Sequence, residues 1–76
     1  MKDLITKIAQ ALVDEPEHVS VVEIEGSLNS VLELNVAKGD LGKIIGKRGR
    51  TVQAIETVLS AASGKSRKRY ILEIVK

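Results

Sequence analysis

The sequence predicts a small α+β domain with the element order α-β-β-α-α-β. Three segments space their apolar residues as a helix does, and three shorter ones are rich in β-branched or alternating apolar residues. A three-stranded sheet cannot cover both of its own faces. The three helices are therefore expected to pack on one face and leave the other exposed. With 76 residues the chain has room for a single domain, residues 1–76.

The first half of the chain predicts a helix followed by a hairpin. Apolar residues from Leu4 to Val13 recur at helical spacing, with Asp3 as the expected N-cap, and Pro16 ends the pattern. Residues 19–25 predict a strand with one solvent-exposed face, and residues 32–36 alternate apolar and polar side chains more regularly. Because the turn between them is short, the two strands should pair as an antiparallel hairpin.

The second half predicts two helices and a last strand. Asp40 is placed to cap a brief helix over residues 41–45. A double-glycine turn separates this helix from a longer one, which is expected to run to about Ser63 with Gly64 as its C′ residue. A cationic run at 65–69 precedes an alternating strand that begins at Tyr70.

Composition excludes several kinds of site. The chain has no cysteine, and His18 is its one histidine, so neither a disulfide framework nor a structural zinc site can be built. We expect no cofactor and no metal. The chain starts without the apolar run of a secretory signal, and no segment approaches the ~20 apolar residues that span a bilayer. A cytoplasmic protein with no membrane partner is expected.

Charge is distributed unevenly along the chain. Residues 1–37 carry two lysines against seven acidic residues, whereas residues 38–69 carry nine lysines and arginines against two acidic residues. The pattern predicts a basic patch, which suits an anionic partner. Tyr70 is the one aromatic residue, so the aromatic stacking platforms of RRM, OB-fold and cold-shock proteins cannot be built.

The most informative segment is residues 44–51, IIGKRGRT, in which two glycines flank two cations. Without a β-carbon at Gly46 and Gly49 the main chain can approach an anion closely and adopt φ values that other residues avoid. The helix that follows would present free N–H groups and its positive dipole end to the same anion. Such a turn can also be purely structural, but cations at positions 43, 47, 48 and 50 favour phosphate contact.

Residues 42–55, GKIIGKRGRTVQAI, resemble the I-I-G-x-x-G-x-x-[IV]-x-x-[IL] signature of KH domains. The element order is similar to the type II, prokaryotic arrangement, and the resemblance covers nearly the whole chain, as in small stand-alone bacterial RNA-binding KH proteins. It implies a module that clamps about four nucleotides of single-stranded RNA over the glycine turn. Low sequence specificity and a role as an RNA chaperone or post-transcriptional regulator are the corresponding expectations.

The resemblance also implies which residues bind RNA. The turn itself would grip phosphates through Gly46, Lys47, Arg48 and Gly49, with Lys43 and Arg50 beside it. The floor of an adjacent apolar groove would be Leu41, Ile45 and Val52. For Ile44, Ile45 and Val52, packing in the core is the competing role. Arg67 and Lys68 belong to the run at 65–69, which is either a second positively charged surface that contacts RNA or an ordinary solvent-exposed loop.

Catalysis is not expected. Gly42 and Gly46 are separated by three residues where a P-loop needs four, and Arg48 stands where that motif has a hydroxyl. The Gly64-Lys65-Ser66 segment has Leu59 in place of the first glycine. No nucleophile and base pair is evident, so no small-molecule substrate is expected.

The long helix carries a wider apolar arc than one core face requires. Ala54, Val58 and Ala61 extend it to about half of the circumference. This predicts a homodimer or a heterodimer with another KH protein, unless the first helix covers these residues. The alternative function is therefore a KH-fold interaction or dimerisation module that acts with a second RNA-binding protein.

Overall fold

The computed structural model describes residues 1–75, except for the side chains of Lys65 and Ser66. Its three helices are α1 (Lys2–Leu12), α2 (Leu41–Ile45) and α3 (Arg50–Ser66), and its three strands are β1 (Ser20–Glu25), β2 (Asn29–Asn35) and β3 (Arg69–Ile74). Single 3₁₀ turns occupy Pro16–His18 and Lys38–Asp40, and Lys47–Gly49 forms a turn with non-helical backbone angles between α2 and α3. The observed order confirms the predicted α-β-β-α-α-β arrangement and the α+β class.

The three strands form one mixed sheet in the order β1-β2-β3. Strands β1 and β2 pair antiparallel, as the short turn predicted, with Val21 opposite Leu34. Strand β3 pairs parallel with β2, which places Leu72 beside Leu32. A parallel neighbour requires a crossover, and the α2–α3 segment supplies it.

The core lies between the sheet and all three helices. Its buried apolar residues are Ile5, Ala9, Val21, Leu32, Leu34, Ile44, Ile55 and Leu59. They come from α1, α2 and α3 and from one face of β1 and β2, so the three helices lie on one face of the sheet, as predicted. On the other face Val22 and Ile24 remain 48% and 53% exposed.

Strand β1 alternates, and its odd-numbered residues face the helices. Val21 is buried and Val22 is exposed, so Glu23 falls on the helix-covered side. There its carboxylate accepts a hydrogen bond from Ser30 Oγ at 2.7 Å. Because β1 is an edge strand, a glutamate can reach solvent beyond the helices even from this side.

Two predicted helix boundaries are wrong. Helix α1 begins at Lys2 with Met1 as N-cap and no side-chain cap, which puts Asp3 inside the first turn. Helix α3 runs past Gly64 and ends at Ser66, where Arg67 adopts φ 61° and its N–H donates to the carbonyl of Ser63. Ser63 Oγ also accepts a hydrogen bond from the Tyr70 N–H at 3.0 Å, so contacts with β3 hold the added turn.

No helix in the described part of the chain has the length and apolar character needed to cross a membrane.

Candidate nucleic-acid interface

The glycine turn between α2 and α3 has an unusual backbone. Gly46 has φ 76° and ψ 171°, Arg48 has φ 58° and ψ 27°, and Gly49 has φ 72° and ψ 14°. Two main-chain hydrogen bonds close the turn, from Gly46 N–H to the Gly42 carbonyl at 2.8 Å and from Gly49 N–H to the Gly46 carbonyl at 3.1 Å. Three of the four residues from 46 to 49 thus have positive φ, which fixes the direction of the exposed backbone.

The two glycines are needed for different reasons. A β-carbon on Gly46 would overlap Thr51, lying 2.7 Å from its Cβ and 2.8 Å from its backbone nitrogen. Gly46 also has a φ and ψ combination that is essentially restricted to glycine. At Gly49 a β-carbon would meet nothing closer than Val52 Cγ1 at 4.0 Å. There the left-handed conformation alone favours glycine.

Three cations surround the turn. Lys47, Arg48 and Arg50 are exposed and line a recess of about 270 Å³. Among the described residues none of the three forms an ion pair within 4.0 Å. Arg50 is the first residue of α3, so the recess opens beside the positive end of a 17-residue helix dipole. The turn can therefore receive an anion without breaking an ion pair between described residues.

The apolar residues of α2 are divided between the core and the protein surface. Ile44 is fully buried, which confirms its core role. Leu41 and Ile45 lie four residues apart on one side of the helix, and both are partly exposed, as is Val52 on α3. None of these three is among the partly buried side chains that pack against the core. All three therefore leave apolar surface open to a ligand, and Leu41 lines a recess together with Val36, Lys38 and Val75.

Lys43 has partners that the sequence did not reveal. Its Nζ donates a hydrogen bond to Asp14 and lies 3.6 Å from Asp40 Oδ1. The hydrogen bond to Asp14, together with the charge of Asp40, raises the pKa of Lys43 above its ordinary 10.5. At about 100° per residue, Lys43 points away from the side of α2 that carries Leu41. The structure thus ties Lys43 to the loop after α1.

Asp40 holds that same loop. The carboxylate is 3% exposed and accepts hydrogen bonds from the backbone N–H of Asp14 at 3.2 Å and of Glu15 at 3.0 Å. It precedes α2 but makes no side-chain cap there. Burial alone would raise its pKa, but these hydrogen bonds and Lys43 outweigh burial and lower the pKa below 3.8. Asp40 therefore anchors the start of α2 to the end of α1.

The second cationic run lies far from the turn. Arg67 and Lys68 follow the last residue of α3, and a helix of that length places them about 25 Å from the glycine turn. Lys68 Nζ pairs with Glu25 Oε1 at 3.2 Å at the hairpin end of the sheet. The side chain of Lys65 lies outside the described residues. The structure does not bring Arg67 and Lys68 together with the turn as one compact site.

An apolar recess lies between α1 and α3. It has a volume of about 240 Å³ and is lined by Ile8, Leu12, Thr51, Ala54, Ile55 and Val58. Leu12 is 38% and Val58 40% exposed, and Ala54 and Ala61 are exposed too. Helix α1 therefore stands beside the predicted interface residues and does not cover them.

Comparison with known proteins places this fold and turn in a family. Residues 2–74 match the family model for the KH domain of KhpA and KhpB. The chain belongs to the KhpA/KhpB family of KH domains. The family match includes both the glycine turn and the three-stranded sheet, so the resemblance seen in residues 42–55 extends through the described fold.

Relatives of similar length are found in several bacteria. The chain is 51% identical over 75 residues to the RNA-binding protein KhpA of Caldanaerobacter subterraneus subsp. tengcongensis, covering 99% of this chain and 100% of that protein. It is 49% identical over 75 residues to the protein of the same name from Clostridium acetobutylicum, with the same coverage. Treponema pallidum has another, 47% identical over 74 residues, covering 97% of this chain and 92% of that protein. No solved structure gave a significant match.

Proposed function

We propose that this chain is a single KH domain that binds single-stranded RNA at the glycine turn. Lys47, Arg48 and Arg50 contact phosphates, and the partly exposed apolar side chains of α2 and α3 lie under the bases. The observation that carries the proposal is a group of exposed cations around a turn with fixed positive φ, none of which pairs with a carboxylate in the described part of the chain. The name RNA-binding protein, which the relatives bear, supports it.

The turn suits a phosphate backbone more than a particular base sequence. Cations and main-chain N–H groups position a nucleic acid without reading its bases. The groove floor at Leu41, Ile45 and Val52 offers apolar contact, which also discriminates weakly between bases. Low sequence specificity follows, and a strand of about four nucleotides is enough to occupy the turn and the groove. Arg67 and Lys68 would contact only a longer strand, because the length of α3 separates them from the turn.

Binding without chemistry is part of the proposal. The recess beside the turn is lined by two arginines and a lysine, none of which is an evident nucleophile or general base at neutral pH. Weak, sequence-tolerant binding suits a cytoplasmic RNA chaperone or post-transcriptional regulator, which has to exchange among many RNAs.

The test is the salt dependence of single-stranded RNA binding. The logarithm of affinity should fall against the logarithm of salt with a slope of about −0.7 per phosphate neutralised. The double variant Lys47→Asp, Arg48→Asp should lose almost all binding.

Lys2→Asp, Lys7→Asp is the matched control, because it makes the same charge change on exposed residues of α1. It should lower affinity only through long-range electrostatics, an effect that added salt removes. Equal losses in the two variants would mean that net charge, not the turn, attracts the RNA.

A second function, protein association, is favoured by the recess between α1 and α3. We propose that a second copy of the chain docks there, with another KH protein as the alternative occupant. Two exposed aliphatic side chains, Leu12 and Val58, flank a surface built from apolar groups, and a dimer would remove them from water.

Sedimentation across a range of concentrations tests this association. Val58→Arg should yield a monomer where the native chain dimerises. Ser60→Arg is the control, because Ser60 is exposed and lies about 200° around α3 from Val58. A native chain that stays monomeric at every concentration rejects the homodimer, and mixing with a second KH protein then tests the heterodimer.

A further inference from the structure

The sheet face that points away from the helices carries an ordered pattern of side chains. The strand register places Ile24, Val31 and Ile71 side by side across all three strands. Two residues further along the strands, Val22, Glu33 and Glu73 form the neighbouring row. Ile24 is 53% and Val22 48% exposed, and Val31 and Ile71 are partly exposed. An apolar row thus lies next to a pair of carboxylates.

The two carboxylates are placed unfavourably for an isolated domain. Glu33 and Glu73 are direct neighbours on adjacent strands, which lie about 4.8 Å apart. Like charges in neighbouring cross-strand positions repel each other. Within the described part of the chain neither carboxylate forms an ion pair. The described residues leave this repulsion uncompensated, whereas a cation between the two groups would remove it.

Neither RNA nor a second copy complements this face well. RNA is a polyanion, which the two carboxylates repel. In a symmetric face-to-face dimer, one orientation stacks the carboxylate rows of both copies on each other. In the reversed orientation Arg69, which lies on the far side of the apolar row, meets the carboxylates of the other copy. Among the described residues, this one arginine still leaves one of the two carboxylates unmatched in each copy.

We propose that this face docks a basic amphipathic helix of another protein. The two rows lie about 6.7 Å apart along the strands, close to the ~6 Å between residues i and i+4 of a helix. A helix along β2 would set an aliphatic side chain on the Ile24, Val31 and Ile71 row. A lysine or arginine four residues away would then reach between Glu33 and Glu73.

The proposed surface is separate from the RNA site. The sheet lies between this face and the helices that carry the glycine turn. A protein partner and an RNA can therefore bind at the same time, and the domain would bring a basic protein to the RNA that it holds.

The experiment uses the full chain and a synthetic probe. The probe is a helical peptide of leucine, alanine and lysine, with lysines four residues from the central leucine; a second peptide carries glutamate in place of lysine. Amide chemical shifts should change at Val22, Ile24, Val31 and Ile71 with the lysine peptide and stay unchanged with the glutamate peptide. Shifts centred elsewhere, including the recess between α1 and α3, would overturn the proposal.

Two double variants distinguish binding at this surface from non-specific attraction to acidic residues elsewhere on the protein. Glu33→Gln, Glu73→Gln should weaken binding of the lysine peptide by at least about tenfold. The control, Glu15→Gln, Glu17→Gln, removes two exposed carboxylates in the turn after α1 and should leave binding within about twofold of native. An equal loss in both variants would show non-specific attraction and overturn the proposal.

Two further measurements separate loss of peptide binding from loss of fold stability and from loss of RNA binding. The Glu33→Gln, Glu73→Gln variant should be at least as stable as the native chain to urea, because it relieves a repulsion; a loss of stability contradicts the argument. The Lys47→Asp, Arg48→Asp variant should bind the peptide at least as tightly as the native chain does, because it adds only negative charge; weaker binding would contradict the separation of the two sites. The peptide result therefore stands or falls independently of RNA binding.

Discussion

Replacing Gly46 by alanine tests the geometry of the glycine turn most directly. The added β-carbon would lie 2.7 Å from Thr51 Cβ and 2.8 Å from the Thr51 backbone nitrogen. The second of these atoms is main chain, so no side-chain rotation removes the overlap. The residue would also have to keep φ 76° and ψ 171°, or the turn would have to change shape.

The expected cost is a large part of the domain's stability. Holding a non-glycine residue in this region of φ and ψ costs about 1–3 kcal/mol, and the overlap with Thr51 adds to it. We expect Gly46→Ala to lower the free energy of unfolding by about 3 kcal/mol or more. At the usual ~0.05–0.15 kcal/mol per residue, a chain of this length has only about 4–11 kcal/mol in total.

Two other glycines provide graded controls. Gly49→Ala should cost about 1–2 kcal/mol, because it has a left-handed φ but no steric overlap. Gly42→Ala should stabilise the protein by about 0.4–1 kcal/mol, since nothing lies within 4 Å of the added carbon and Gly42 is in α2.

Urea unfolding followed by circular dichroism measures this order. With a slope near 1 kcal/mol per molar urea for a small domain, Gly46→Ala should move the midpoint down by about 3 M. The reasoning is refuted if Gly46→Ala and Gly49→Ala cost the same. It is equally refuted if Gly42→Ala is the most harmful of the three.

Three further changes probe other parts of the fold. Asp40→Asn should destabilise the protein at neutral pH. Because folding lowers the pKa of Asp40, the difference in unfolding free energy between the native chain and the variant should be full above the ordinary pKa of 3.8 and shrink as pH falls below it. Urea midpoints measured against pH would show this. A constant difference across that range would contradict the role of its charge. Arg67→Gly should raise stability by about 1 kcal/mol, because Arg67 ends α3 with a left-handed φ of 61°; a lower melting temperature would argue against that strain. Leu59→Ala should lower the free energy of unfolding by about 2–5 kcal/mol, because Leu59 is 1% exposed and its truncation leaves a cavity. A chemical denaturation midpoint equal to that of the native chain would contradict this.

The sequence was sufficient for the fold because local patterns and long-range packing agree. Apolar spacing in α1 and α3, alternation in β2 and the glycine turn each predicted an element that the structure contains. The sequence is less informative where the local pattern is ambiguous. Alternation in residues 22–25 does not say which side of the strand meets the helices, and the structure shows that Val21, not Val22, enters the core. Gly64 can end a helix or continue it, and the hydrogen bond from the Tyr70 N–H in β3 to Ser63 Oγ favours continuation.

The network around Asp40 could not be predicted because its members are distant in sequence. Asp40 receives hydrogen bonds from residues 25 and 26 positions earlier, and Lys43 reaches a carboxylate 29 positions away. No periodicity or motif spacing encodes such contacts. An aspartate before a short helix suggests an N-cap, and only the folded chain shows that its carboxylate turns to the loop after α1.

The same contacts reduce the number of cations that can neutralise RNA. Charge alone gives equal weight to Lys43, Lys47, Arg48, Arg50, Arg67 and Lys68. In the structure Lys43 and Lys68 already pair with carboxylates, so a phosphate would have to replace an existing favourable contact. Arg67 lies at the far end of α3 from the turn. Three cations remain for a four-nucleotide strand, and at about −0.7 per phosphate the salt slope should be about −2. Participation of all six would give about −4, a difference that titrations over a tenfold range of salt resolve.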